Sequence, residues 1–227
     1  MPTHAQVVVL PQETGPLQIQ DVVLPDPGPT QVVVQQYASG VCHSQLHQMH
    51  RPRKSPVLLG HESTGIVIGK GTDVTHLDEG DTVLVTWVPR DAANADTTPS
   101  AAILDVDGGQ AISPNVFTWA DHTIADQQYV VKADASIKKD VTAIIGCAVM
   151  TGAGAVINTA NVQKGNSVAI FGVGGVGLSA VVGARMRGAD PIIAVDLDDE
   201  KLAFAKRFGA THGINASQVD AIASIHE

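Results

Sequence analysis

Only two cysteines occur in the 227 residues, too few for a disulfide framework in a chain of this size, which favours a reducing, cytoplasmic setting. Basic residues are scarce too: 14 Lys and Arg stand against 23 Asp and Glu, for a net charge of -9. Nucleic acid and anionic membrane surfaces repel such a chain, which excludes both as main partners. The N-terminus "MPTHAQVVVLPQETG" lacks a basic segment and is broken by Pro11, so it does not read as a secretory signal. The uncharged run Asn166 to Ala184 is nearly long enough to cross a bilayer, but its five glycines predict a buried turn between strand and helix. There are no internal repeats.

What is present has two textures. Up to about residue 140, short β-branched runs ("AQVVVL", "QVVVQQYA", "STGIVIG", "DTVLVTW", "QQYVVK") alternate with turn chemistry ("PDPGP", "GKGTD", "DEGD"), which predicts a barrel or sandwich. Beyond that, "SVAIFG", "VGLSAVVGARMRG", "PIIAVD" and "DDEKLAFAKRFG" read as strand, helix, strand and helix, the helices closed by Gly188 and Gly209. That alternation predicts a parallel βαβ sheet. The fold class is therefore mixed α/β, with domains at 1–150 and 151–227. The segment Pro89 to Asn115 is too polar and broken for assignment.

Gly172, Gly174 and Gly177 in "IFGVGGVGLSAVV" have the G-x-G-x-x-G spacing, with a strand before, a helix after, and Asp196 ending the next strand about 20 residues on. Gly172 permits the tight turn, Gly174 lets a pyrophosphate approach, and Gly177 packs helix on strand; Gly175 and Val176 open the helix whose N-terminus meets the negative charge. Asp196 would accept from ribose hydroxyls and repel a 2′-phosphate, favouring NAD over NADP. Lys201, one turn into the next helix, sits toward the same ribose edge.

The other notable stretch is "ASGVCHSQLHQMH". Cys42 or Cys147 alone would read as a small buried hydrophobe, and His61 in "LLGHESTG" as a satisfied histidine. Two thiolates and an imidazole from separate segments are, however, the donor set of a catalytic zinc with an open fourth position. The remaining histidines, His47 and His50 among them, lack a partner at ligand spacing. His4 and His226 lie near the termini.

"GVCHSQLH", "LLGHESTG", "EGDTVLV", "IGCAVMTGAGA" and "FGVGGVGLSAVVGA" with "IIAVDLDDEK", in this order, resemble the zinc-dependent alcohol dehydrogenases of the medium-chain dehydrogenase/reductase family. The resemblance implies an N-terminal GroES-like β-barrel catalytic domain followed by a partial Rossmann sheet, one catalytic Zn²⁺, NAD, and a small alcohol or aldehyde as substrate. It implies Cys42, His61 and Cys147 as zinc ligands, with Glu62 beside the metal. Ser44 falls at the position that takes the alcohol proton and His47 at the one that passes it to solvent. His43 falls near the coenzyme pyrophosphate, Thr151 near the nicotinamide, and Trp87 on the substrate pocket. The implied reaction is reversible hydride transfer between an alcohol and NAD.

Three departures stand out. Gln45 occupies a position where the family usually has an aspartate hydrogen-bonded to the ligand histidine, so a zinc that is held but more easily stripped is expected. Residues 89–115 contain no cysteine, so the structural zinc of many relatives is not expected. Only about three of the six coenzyme-sheet strands are expected, which leaves an open apolar edge and argues for self-association as a homo-oligomer. A non-catalytic remnant that binds zinc and the ADP half of NAD is the alternative function. A zinc-independent reductase is disfavoured because all three ligand positions are filled.

Overall fold

The computed structural model describes residues 2–13, 15–91, 102–113 and 115–226. It divides into two compact units, Met1–Cys147 and Ala148–Glu227.

The first unit is built on two five-stranded sheets. One has the order β2-β1-β4-β8-β7, from Gln18–Leu24, Thr3–Leu10, Val57–Leu58, Gly109–Ile112 and Ile103–Val106. The other has the order β10-β6-β5-β3-β9, from Val130–Lys132, Thr82–Val85, Ser63–Lys70, Gln31–Ser39 and His122–Asp126. Strand β3 shows why both are needed. Its three consecutive valines are all buried, and the two-residue period of a strand sends them to opposite faces. Val33 joins Val7, Val9, Phe117 and Ile124 in one core, while Val32 and Val34 join Val67, Val83, Val85 and Tyr129 in another. A strand covered on both sides makes a barrel-like mixed fold rather than a one-sided sheet. Between β3 and β4 lies the short helix α1, His43–His50.

Part of the unassigned segment is ordered as the hairpin β7–β8, in which Leu104 and Ala111 pair and are buried. Alternation over four residues per strand is too short to separate from loop in the sequence, and the turn needs two glycines, Gly108 and Gly109, at positive φ. Residues 92–101 of that segment lie outside the described residues.

The second unit is a parallel sheet of order β11-β12-β13 (Val168–Phe171, Ile192–Asp196, His212–Asn215), with α3 (Gly175–Met186) and α4 (Asp199–Phe208) as crossovers. Met150–Gly154 forms α2, and Ala221–His226 forms α5. Val181, Ala184, Ala194 and Ala205 are fully buried at its centre, small residues that let helix and sheet approach closely. Asp198 caps α4 by accepting from the Glu200 N–H at 2.8 Å, and Gly209 closes it at φ +125. Among the described residues β11 pairs only with β12, and Phe171 is 59% exposed. The run Asn166 to Ala184 forms β11, the glycine turn and most of α3, but the turn is not buried as expected: Gly172, Gly174 and Gly175 are exposed, and among the described residues nothing packs over Gly172 or Gly174. Among the described residues one helical run, Thr142–Thr159, has the length and composition to cross a membrane, and 33% of it is buried.

Candidate functional site

Three separate pieces of backbone deliver a cluster of donors that could hold a metal ion. Cys42 follows β3 in extended conformation (φ -107, ψ 147) and caps the start of α1. His61 follows Gly60, whose φ of +92 and tight approach to Trp119 N leave no room for a side chain. Cys147 sits within a π-helical turn, Ile145–Val149, a local irregularity that often marks a functional position. The Thr86 hydroxyl donates to the Gly146 carbonyl at 2.7 Å and steadies that turn.

The donor atoms of Cys42, His61 and Cys147 all lie within 4.8 Å of one another. Cys147 Sγ is 3.8 Å from Cys42 Sγ and 3.3 Å from His61 Nε2. Around a tetrahedral zinc with Zn–S near 2.3 Å and Zn–N near 2.0–2.1 Å, two sulfurs stand about 3.8 Å apart and a sulfur and nitrogen about 3.5 Å apart. The donor set and spacing therefore fit zinc.

Electrostatics agree. The Cys147 thiol is pushed up to about 12, first because burial penalises the thiolate and then because Cys42 and Glu62 place negative charge beside it; a hydrogen bond from Trp87 opposes the shift. Burial lowers the His61 pKa, which keeps the imidazole neutral, as a metal ligand must be. Acids crowded in this way favour a cation among them.

Glu62 is 2% exposed, and its carboxyl packs over Gly40, where an added Cβ would come within 2.5 Å of it. The Glu62 peptide is fixed by Thr118, which accepts from its N–H at 3.2 Å, and by Ser39, whose hydroxyl donates to its carbonyl at 2.9 Å. Trp119 Nε1 donates to the Gly40 carbonyl at 3.0 Å. Thr118 and Trp119 were not singled out by sequence reasoning, and no local pattern marks them. Trp87 is 44% exposed and meets the His61 ring edge-on at 6.5 Å.

On α1 the Ser44 Oγ is buried with no hydrogen-bond partner among the described residues, while His47 is exposed. Gln45 is buried; its Oε1 accepts from the Cys42 N–H at 2.9 Å and its Nε2 stands 2.5 Å from His61 Nδ1. Helical geometry brings His47 beside His43, with ring centroids 5.2 Å apart and the rings tilted by 59°. A four-residue gap becomes a contact only once the segment is helical.

In the second unit Gly172 takes φ +81 after β11, and Gly174 precedes α3, which begins at Gly175. Val176 is 46% exposed on the first turn, and Thr151 on α2 is exposed. Asp196 Oδ2 accepts from the Val173 N–H at 2.9 Å, and Oδ1 from those of Leu197 at 2.8 Å and Asp198 at 3.3 Å. Lys201 Nζ is 4.0 Å away. The Val173 hydrogen bond is the main reason the Asp196 carboxyl titrates below its usual range. A depressed folded-state pKa means the contribution is present above the unfolded value, near 3.9, and lost as pH falls through the folded value.

Known proteins match these features. Alcohol dehydrogenase GroES-like domains match residues 28–135, and the zinc-binding dehydrogenase family matches residues 175–227. An alcohol dehydrogenase class-3 from Cereibacter sphaeroides is 34% identical over 247 aligned positions, covering 97% of this chain and 65% of the relative. The chain belongs to the medium-chain, zinc-binding alcohol dehydrogenase family. Among solved family structures, an alcohol dehydrogenase zinc-binding domain protein from Burkholderia ambifaria superposes with a TM-score of 0.90 at 31% identity, covering 100% of this chain and 68% of that one. Benzyl alcohol dehydrogenase from Acinetobacter calcoaceticus gives 0.87 at 30% identity, with coverage of 98% and 67%. This family member thus spans about two thirds of the length of the relatives it matches.

Proposed function

We propose that this chain acts in a zinc- and NAD-dependent oxidoreductase that moves a hydride between an alcohol and NAD, interconverting alcohol and aldehyde or ketone. The observation that carries the reading is the convergence of two thiols and one imidazole within 4.8 Å, with spacings that suit tetrahedral zinc. Zinc held by Cys42, His61 and Cys147 would supply Lewis acidity, easing deprotonation of a hydroxyl as it does for water, whose pKa it can bring to about 7. NAD would supply the hydride acceptor.

The chain's own groups handle proton and position. Ser44 presents a buried hydroxyl that has no hydrogen-bond partner among the described residues, which suits it to take the alcohol proton. His47 lies one helical turn further along α1 and is exposed, which suits it to release that proton to water. Glu62 tunes the charge beside the thiolates, and Trp87 forms a wall of the substrate pocket. In the second unit Gly172, Gly174, Gly175, Val176 and Gly177 would bind the coenzyme pyrophosphate and Thr151 would contact the nicotinamide; in the first, His43 is proposed as a coenzyme contact. Asp196 and Lys201 contact the adenosine ribose. Only one zinc of this type is proposed.

The test is alcohol-dependent appearance of NADH with zinc present, alongside zinc content and an NAD titration. Turnover that a chelator abolishes and zinc restores supports the reading. Binding of zinc and NAD without turnover over a panel of alcohols would overturn it in favour of a non-catalytic role. For the ribose contact, Asp196→Ala is expected to weaken NAD binding about tenfold, roughly 1.4 kcal/mol. The same variant narrows the gap between NAD and NADP; an unchanged preference in paired titrations would remove Asp196 from coenzyme selection.

A further inference from the structure

Three histidines fall on one side of α1: His43, His47 and His50, at spacings of four and three residues. The rings of His43 and His47 stand 5.2 Å apart between centroids and are tilted by 59°. Both side chains are exposed. Imidazole suits zinc, nickel and copper, and two histidines four apart on one helix face form a recurrent zinc-binding spacing. A metal about 2.0–2.1 Å from a ring nitrogen lies about 3.2 Å from that ring's centroid, so two rings meeting at a tetrahedral angle stand about 5.2 Å apart.

We infer that His43 and His47 form a second site for a divalent transition-metal ion, separate from the Cys42, His61 and Cys147 set. Water completes its coordination, since the neighbouring thiol of Cys42 is engaged 3.8 Å from Cys147 Sγ. His50 is not a third ligand. Its Nδ1 bonds the Leu46 carbonyl at 2.6 Å, and two helical turns, about 10 Å, separate it from His43. With only two protein ligands the site is weaker than the thiolate site and exchanges freely. Both imidazoles also have roles under the proposed function, so an ion bound there inhibits turnover; that consequence rests on the proposed function, whereas the site itself does not.

The experiment uses the full chain carrying one equivalent of zinc, titrated with Ni²⁺ by calorimetry while retained zinc is measured by elemental analysis. One Ni²⁺ per chain is expected without loss of zinc. His43→Gln and His47→Gln should each weaken its binding at least tenfold, and His50→Gln should leave it unchanged. Both target side chains are exposed, and far-ultraviolet circular dichroism checks that α1 survives. Nickel binding that is absent, that persists in either of the first two variants, or that falls equally in His50→Gln overturns the inference.

Discussion

Replacing Gln45 by Glu is expected to tighten zinc binding by about 10- to 100-fold, the usual effect of an outer hydrogen-bond partner on a metal site. The reason is a shortage of acceptors. Gln45 has one carbonyl oxygen, and the Cys42 N–H holds it at 2.9 Å. Its amide nitrogen therefore faces His61 Nδ1 at 2.5 Å and can only donate there. A neutral imidazole that accepts at Nδ1 carries its proton on Nε2, the nitrogen 3.3 Å from Cys147 Sγ and the one that must bind metal. Zinc binding then requires the proton to move to Nδ1 and the amide to turn over, which sets an NH₂ group against the Cys42 N–H. A carboxylate of the same length offers an acceptor to both donors at once.

The same substitution carries an opposite effect without metal. Position 45 is 2% exposed, and a carboxylate there would be buried beside Cys42 and His61, next to the thiol pair already crowded with acid. Desolvation and like-charge repulsion should lower the melting temperature of the metal-free variant and raise that of the zinc-loaded one. Gln45→Asp offers the same charge one methylene short and should recover less of the gain. Competition with a chromophoric chelator reads the affinity, and thermal melts with and without zinc read the stability. Equal zinc affinity in wild type and Gln45→Glu would show that the amide imposes no such conflict.

The glycine turn between β11 and α3 was legible in the sequence because its signal is local. Strand, glycines and helix follow one another within 20 residues, and each glycine's role can be argued from backbone sterics alone. The Cys42, His61 and Cys147 cluster was legible as a donor set from residue types, but its assembly in space was implied only by family resemblance. His61 and Cys147 are 86 residues apart and Cys42 and Cys147 105, and no periodicity shows that a strand end, a loop and a π-turn meet. For the same reason Thr118 and Trp119 went unnoticed, since their importance exists only where β-sheet topology lays them against Gly40 and Glu62. The three valines of β3 announced a strand but could not announce two cores. A continuous apolar run shows that both faces are covered and leaves open what covers them.

Gly177→Ala is expected to damage both the packing of the second unit and its nucleotide affinity. A Cβ built there would lie 1.9 Å from the Gly172 carbonyl oxygen and 2.9 Å from its carbon, both backbone atoms. Neither can swing aside as a flexible side chain could, so α3 must shift away from β11 or the turn must open. Forcing such a contact typically costs about 1–3 kcal/mol, which in a unit of this size lowers its melting temperature by several degrees. It also moves the α3 N-terminus from the pyrophosphate it is proposed to hold, so NAD or ADP-ribose binding falls with it. Gly174 supplies the contrast. It has φ -72, and nothing lies within 4 Å of a Cβ added there, so Gly174→Ala fits the fold without strain. A methyl group at that position fills only the space a pyrophosphate would enter. Gly174→Ala should therefore melt with wild type yet lose nucleotide affinity, whereas Gly177→Ala loses both. If Gly174→Ala bound ADP-ribose as well as wild type, the nucleotide would have to lie elsewhere than over this turn.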